Sequence, residues 1–261
     1  MGRAAAPIIR LMGRWYSVPL VLLLWQALVA SGVFSQRLMP SLLTIGGAFA
    51  EGVMNGDILL HSAITLERAL SGFALAVLAG VLFGTVMARV RWVERLFEPF
   101  FFFTYPIPKI ALYPIFTFVF GLGSPSKVAF VFVECLYPIV ISTYYGMRFT
   151  DRIKLWVAQN TGASSRQIFW KVLIPSSAPY IFSGLRIALP ISLIVVIITE
   201  MIGDSTGLGF YITYAATSFE YQFTYAGILA VCILGFILDR ILVWTRKKTI
   251  FWERETTPIN K

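Results

Sequence analysis

Histidine and cysteine are almost missing from this chain: His61 stands alone, and Cys135 and Cys232 are the only thiols. A single histidine with no ligand cluster around it excludes the usual catalytic metal centres. Two cysteines, each inside an apolar stretch, exclude a disulfide framework. Charge is scarce as well. Only 13% of the 261 residues are charged, about half the share of an ordinary soluble domain. Acids are the rarer sign, 13 against 22 bases, which leaves a net charge of +9. Those bases sit between apolar runs instead of forming one stripe with stacking aromatics, so nucleic acid is not a partner. No G-x-x-x-x-G-K-[ST] phosphate cradle occurs, so no P-loop nucleotide site is present.

What fills the chain is apolar: 57% of residues are hydrophobic and the mean hydropathy is +0.76. A hydrocarbon core of about 30 Å needs roughly 20 apolar residues per helix. Six stretches qualify as transmembrane helices: Val18–Phe34, Ile64–Ala88, Phe100–Phe120, Val128–Met147, Tyr180–Ile202 and Thr224–Trp244. The fold class is therefore an all-α polytopic membrane protein. The first stretch follows Arg3, Arg10 and Arg14 like a signal peptide, but Leu28 occupies a position that cleavage needs small, so it reads as an uncleaved span.

Orientation follows from the bases. Arg3, Arg10 and Arg14, then Arg89, Arg91 and Arg95, then Arg148, Arg152, Lys154, Arg166 and Lys171, and finally Arg246, Lys247 and Lys248 mark alternate links. The other links hold only Arg37, then Lys127, then none between Gly203 and Gln222. Both termini are expected in the cytoplasm: a terminus over 1–15, a transmembrane domain over 16–250 and a tail over 251–261. Pro40–His61 reads as an external link, with an interfacial helix before an Asn55-Gly56-Asp57 turn. His61 reads as a solvated residue of that link. No internal repeat is visible, which argues against an inverted-repeat carrier.

Between spans four and five lies a polar, basic insert that a membrane anchor would not need. Asp151–Asn160 predicts one helix, with Ile153, Trp156 and Val157 on one face. Gly162 breaks it. Ser164 with Gln167 three residues on forms a capping box, and Ile168, Phe169, Val172 and Leu173 then recur at helical spacing. Pro175 is expected to end or kink this second helix. The pair either covers the ends of the spans along the interface or docks into a groove on a cytoplasmic partner.

A few charges and prolines fall inside spans. Lys109 and Glu134 are expected near mid-membrane, facing the bundle interior or each other, as a structural pair or as part of an anion path. Pro106, Pro108 and Pro114 free backbone groups and predict a bend beside the pathway. Glu200 and Asp204, with glycines 203, 207 and 209, form a tight turn, an outer gate or a contact with an external binding protein. Glu67 and Arg68 are expected to neutralise one another within a helix or to pair across it. The Phe100–Phe103 run and Trp244 read as interfacial aromatics.

The run from Ala158 through Gly162 to Leu173-Ile174-Pro175, with Pro179 and Gly184-Leu185-Arg186 beyond, resembles the EAA loop of bacterial ABC-importer permeases. Gly162, Val172 and Pro175 keep that loop's spacing, whereas Trp156 and Val157 replace its Glu and first Ala. Tyr105–Pro114 with Phe120-Gly121-Leu122-Gly123 and Ser126-Lys127 is similar to the nitrate, sulfonate and taurine branch of the family. So is Thr199-Glu200-Met201-Ile202-Gly203 with Gly207-Leu208-Gly209. The likeness covers about Glu67 to Trp244.

The resemblance implies a type I importer permease that is not itself an enzyme. Trp156, Val157, Ala158, Gly162, Ala163, Ser164, Phe169 and Pro175 would couple it to an ATPase through residues 151–175. Pro106, Pro108, Lys109, Pro114, Glu134 and Glu200 would line the path or gate. The implied partners are two cytoplasmic ATPase copies carrying ATP and Mg, a second permease copy, a periplasmic or lipid-anchored solute-binding protein, and membrane lipids. No cofactor or metal would bind this chain. The expected cargo is a small anionic solute such as a sulfonate, taurine, nitrate or an aromatic carboxylate, with a pyrimidine-type vitamin precursor left open, carried across the bacterial inner membrane. An ion-coupled carrier acting without an ATPase is the alternative. A membrane-embedded enzyme is a third class and finds no nucleophile–base constellation.

Overall fold

A computed structural model describes residues 16–104 and 107–252, and among them every regular element is helical. Lipid offers no partners for backbone N–H and C=O groups, and a helix satisfies them within one segment. The chain forms two compact units, one of residues up to Leu60 together with Tyr211–Ala230, the other of His61–Phe210 together with Val231 onward.

In the first unit, helix α1 (Ser17–Ala30) is only 14 residues long. That is about 21 Å at 1.5 Å per residue, short of a full crossing, where the sequence suggested a continuous span over Val18–Phe34. Gly32 takes φ +71° just past its end. The Trp25 indole N–H donates to the Pro40 carbonyl at 3.1 Å, and its ring meets Tyr225 edge-on at 5.3 Å. Helix α2 (Leu42–Met54) begins at Ser41, whose hydroxyl accepts from the Thr44 N–H. It matches the predicted link helix, and Gly56 at φ +86° makes the expected turn.

The second unit holds most of the long helices. They are α3 (Asp57–Arg89, whose first turn belongs to the first unit), α4 (Arg91–Thr104), α5 (Tyr113–Phe120) and α6 (Ser124–Arg148). The insert helix α7 (Arg152–Asn160) follows, then α8 (Ser165–Met201). Helix α9 (Leu208–Thr217) has its first three residues in the second unit and the rest in the first, and helix α10 (Tyr221–Thr249) belongs to the first unit up to Ala230 and to the second from Val231. Among the described residues four helices, α3, α6, α8 and α10, are long and apolar enough to cross a membrane.

The core of this unit is where α3, α6 and α8 meet. Ala69 and Ala76 of α3 face Phe130, Val131, Cys135 and Ile139 of α6, with Ala188, Leu193 and Val196 of α8 completing the cluster. Association in lipid relies on close packing, so small residues collect at such contacts. Helix α3 presents a small-residue stripe. A Cβ added at Gly80 would lie 2.7 Å from Ile139, and one at Gly84 would lie 2.7 Å from the Thr143 Cβ and 2.8 Å from the Val140 carbonyl.

The third predicted span, Phe100–Phe120, is not one helix. Helix α4 starts at Arg91, nine positions before the expected start, because Val93, Phe97 and Phe101 recur every fourth residue and pack on Phe83, Met87 and Tyr144. It ends at Thr104, and after Ile107 and an extended Pro108 the chain makes a short 3-10 turn over Lys109–Leu112 before α5. A residue ahead of proline is pushed out of the helical region, and proline itself donates no N–H. The bend expected from the prolines is a full break. Of the aromatic run, Phe101 is buried whereas Phe100 and Phe103 are exposed.

Gly84→Ala is expected to lower stability by about 1–3 kcal/mol through overpacking, since the backbone carbonyl of Val140 cannot swing aside. Thermal melting of the purified protein in detergent measures the loss.

Candidate functional site

At one end of the α6–α8 pair sits the insert. Asp151 caps α7 by accepting from the Ile153 N–H at 2.9 Å. Helix α7 closes through Ala163 N–H to Ala158 O at 3.0 Å, with Gly162 at φ +80°. Only glycine adopts that backbone at no steric cost. Ser164 then caps α8. Its N–H donates to Gln167 Oε1 at 2.8 Å, and its hydroxyl accepts from the Gln167 N–H at 3.3 Å. The predicted capping box is complete.

The second insert helix does not stop at Pro175, as its sequence suggested. A π turn over Phe169–Leu173 carries it straight into the long apolar segment, so Ser165–Met201 is one helix of 37 residues. Pro175 falls within two residues of where α geometry resumes, the position at which its missing N–H and ring clash are tolerated. The insert leaves apolar side chains uncovered: Ile153 is 64%, Trp156 61%, Val157 58% and Trp170 60% exposed. Phe169 is half-buried, under the Arg89 guanidinium 5.3 Å from its ring.

At the other end of α3, α6 and α8 is a knot of four buried charges. Arg68 Nη1 lies 2.9 Å from Glu200 Oε1 and 2.8 Å from Asp204 Oδ2, and Lys127 Nζ lies 3.0 Å from the same Asp204 oxygen. Arg68, Lys127 and Glu200 are all at most 4% exposed. Two positive and two negative charges cancel, and neutral partners take up the remaining donors and acceptors. Thr65 donates to Glu200 at 2.8 Å, and the Gly209 N–H reaches Glu200 Oε2 at 3.0 Å. Arg68 also donates to Ser124 Oγ and Thr206 Oγ1, both at 2.9 Å, and Lys127 donates to the Leu122 carbonyl at 2.7 Å. A Cβ at Gly207 would fall onto the Glu200 carboxylate, so only glycine lets the loop close over it.

This knot corrects three expectations. Arg68 does not pair with Glu67: neighbouring residues on a helix point in different directions, while Thr65 and Arg68, three apart, share a face. Lys127 is not a loop cation but a buried partner of Asp204. His61 is not a link residue: it lies in α3, and its Nδ1 accepts from the Gly207 N–H at 3.0 Å. Arg68, Lys127 and Thr65 carried a signal that the sequence reading missed, polar side chains one turn apart at the start of an apolar helix. Glu200 holds this knot together at the C-terminal end of α8.

The remaining predicted path residues are not gathered into one site. Lys109 holds its ammonium 4.3 Å over the Tyr137 ring, a cation–π contact, and its charge also acts on Glu134 without a direct ion pair. Glu134 is half-buried on α6, Pro108 is exposed at the break before α5, and Pro114 is exposed in the first turn of α5. Pro106 lies outside the described residues. No group of three or more His, Cys, Asp or Glu among the described residues suits a metal.

Among the described residues, a fold of helices only, with four of membrane length and a capped polar insert at the end of the longest, is that of a multi-pass membrane protein. The chain belongs to the binding-protein-dependent transport system inner membrane components, whose family model matches residues 72–250. Within that family it is an ABC transporter permease, and such permease subunits are not themselves enzymes. It is 29% identical over 220 residues to the taurine transport system permease protein TauC of Escherichia coli K12, covering 84% of this chain and 79% of that one. Likeness to the formylaminopyrimidine transport permease protein ThiX of Halalkalibacterium halodurans is 34% over 195 residues, covering 72% and 78%. The fold matches a chain of the MetNI methionine ABC transporter, solved in inward-facing conformations, with TM-score 0.51 and 21% identity over 72% of this chain and 90% of that one.

Burial raises the Asp204 carboxyl, but the Lys127 ammonium, the Ser205 N–H and the charge of Arg68 together hold it below the usual aspartate range. A depressed carboxylate stabilises the fold above the unfolded pKa of about 3.9 and loses that contribution as pH falls through the folded value. Melting temperature is therefore expected to fall below about pH 4, with a shallower fall in Asp204→Asn. Arg68→Met, which strands buried carboxylates, is expected to cost about 3–5 kcal/mol. Arg68→Met with Glu200→Gln removes one charge of each sign and is expected to recover a part of that. A double-mutant cycle on thermal or denaturant unfolding reads both.

Proposed function

We propose that this chain is the translocating subunit of an ATP-driven importer and that residues 151–175 receive force from separate cytoplasmic ATPases. The observation that carries this reading is the uncovered apolar face of Ile153, Trp156, Val157 and Trp170 on a capped, glycine-punctuated insert continuous with α8. An amphipathic helix with anchors at helical spacing suits a hydrophobic groove on a partner. Coupling residues would be Trp156, Val157, Ala158, Gly162, Ala163, Ser164, Phe169 and Pro175. Two ATPase copies would bind ATP and Mg, and two permease copies would enclose the path.

In this reading six segments cross the bacterial inner membrane with both termini in the cytoplasm, as the distribution of bases suggests. The α1 and α4–α5 segments, too short alone, would cross with help from neighbouring helices and a second copy. A solute-binding protein would deliver a small anionic solute of the sulfonate, taurine, nitrate or aromatic carboxylate kind. The relatives' names support the taurine and sulfonate part of that range, and that of ThiX supports a pyrimidine-type precursor as well. Motion of the insert would be passed along α8 to the charge knot, so that α3, α6 and α8 tilt together as one side of a two-state element.

Cysteines at Ser164 or Ser165 are expected to crosslink to an ATPase subunit in cells, and Gly162→Pro is expected to abolish ATP-driven uptake while the protein still reaches the membrane. Uptake unchanged in Gly162→Pro, or labelling of those cysteines by an impermeant reagent from outside, would refute the reading.

A further inference from the structure

Neither coupling nor the buried knot uses a charged triad between α8 and α10. Asp239 is shared by two arginines, with Arg186 Nε at 3.4 Å from one carboxylate oxygen and Arg240 Nη2 at 3.6 Å from the other. The arginine side chains are 56% and 55% exposed, and the triad sums to +1. Arg240 also rests over the Phe236 ring, 5.0 Å from its centroid. One carboxylate at these distances leaves most of the guanidinium N–H groups available to a second anion.

A cleft of about 240 Å³ leads away from the triad. Leu189, Leu193 and Ile197 climb one wall along α8, and Leu238, Gly235 and Val231 climb the other along α10. The contact of a Gly235 Cβ with Leu193, 3.7 Å, fixes this antiparallel register. The triad's depth is informative. Arg186 lies six residues past Tyr180, and Arg240 four residues before Trp244, both exposed aromatics of the interfacial kind. At 1.5 Å per residue the arginines start about 6–9 Å inside the apolar region, within snorkelling reach of headgroups.

We propose that this cleft binds an anionic phospholipid of the cytoplasmic leaflet, its phosphate held by Arg186 and Arg240 and an acyl segment laid between Leu189, Leu193, Ile197 and Leu238. The leaflet assignment rests on the orientation given under the proposed function. Basic pockets between membrane helices on the cytoplasmic side are suited to such headgroups. The walls offer no hydrogen-bonding side chain beyond the triad, so a small polar solute has nothing to hold it, whereas an acyl chain does. The cleft exceeds the roughly 150 Å³ that accommodates benzene, enough for a length of hydrocarbon.

The test uses the whole permease with its ATPase in nanodiscs of phosphatidylglycerol mixed with phosphatidylcholine, followed by detergent exchange and mass analysis of retained lipid. Wild type is expected to retain phosphatidylglycerol selectively. Arg186→Gln and Arg240→Gln are each expected to weaken retention about five-fold, the scale of one basic side chain at a lipid surface. Lysine at both positions is expected to restore it, and removing the charges of Arg246, Lys247 and Lys248 is expected to leave it. Equal retention by the double glutamine variant would overturn the proposal, as would displacement of the lipid by glycerol 3-phosphate alone. So would a disulfide between two copies through Ile194→Cys, which would show that a second permease covers this face. ATPase co-purification and the Ser164 crosslink read the coupling separately, so failure here leaves that reading standing.

Discussion

The buried pairing of Arg68 and Lys127 with Glu200 and Asp204 is the constraint on which the rest of the larger unit depends. Each of these ions loses several kcal/mol of hydration on burial, and only close mutual contact with every remaining lone pair engaged repays it. Three long helices and the loop after α8 must therefore keep one relative placement at that end. Hydrophobic packing in lipid does not supply such a constraint, because the surroundings are as apolar as the core. Charge balance supplies position, and the small residues of α3 supply closeness.

From that fixed point α8 runs 37 residues, about 55 Å, to the insert at its opposite end. A helix anchored by ions at one end and bearing uncovered aromatics at the other is a stiff connector between two regions of different chemistry. Gly162 and the Ser164 capping box fix the angle at which α7 meets it, and the local hydrogen bonds there are short-range and complete. Stiffness and definition at both ends are what a force-transmitting element requires.

Much of this was legible in the chain. The capping box, the Gly162 break, the α2 link helix and four of the crossings follow from local rules of spacing and capping that tertiary context did not override. What escaped was set by distance in sequence. Arg68 finds Glu200 across 132 positions, and adjacency to Glu67 misled because helical neighbours diverge by about 100°. The third predicted span is divided for a different reason: hydropathy sees Phe100–Phe120 as uniform, while prolines and the Val93, Phe97, Phe101 periodicity break it into α4 and α5. The substrate stays outside what local patterning encodes: of the described path residues Glu200 sits in a polar cluster, and that cluster is closed on its own charges.

The π turn at Phe169–Leu173 has a geometric corollary. One widened turn rotates everything beyond it relative to what precedes it, so the stripe of α8 that meets solvent and the stripe that enters the bundle need not be collinear. Trp170 and Lys171 look outward while Leu173, two positions later, is buried. The helix thus behaves as a cranked shaft, whose phase was set by a single turn. Removing one residue from that turn would leave the rod intact and point its head the wrong way.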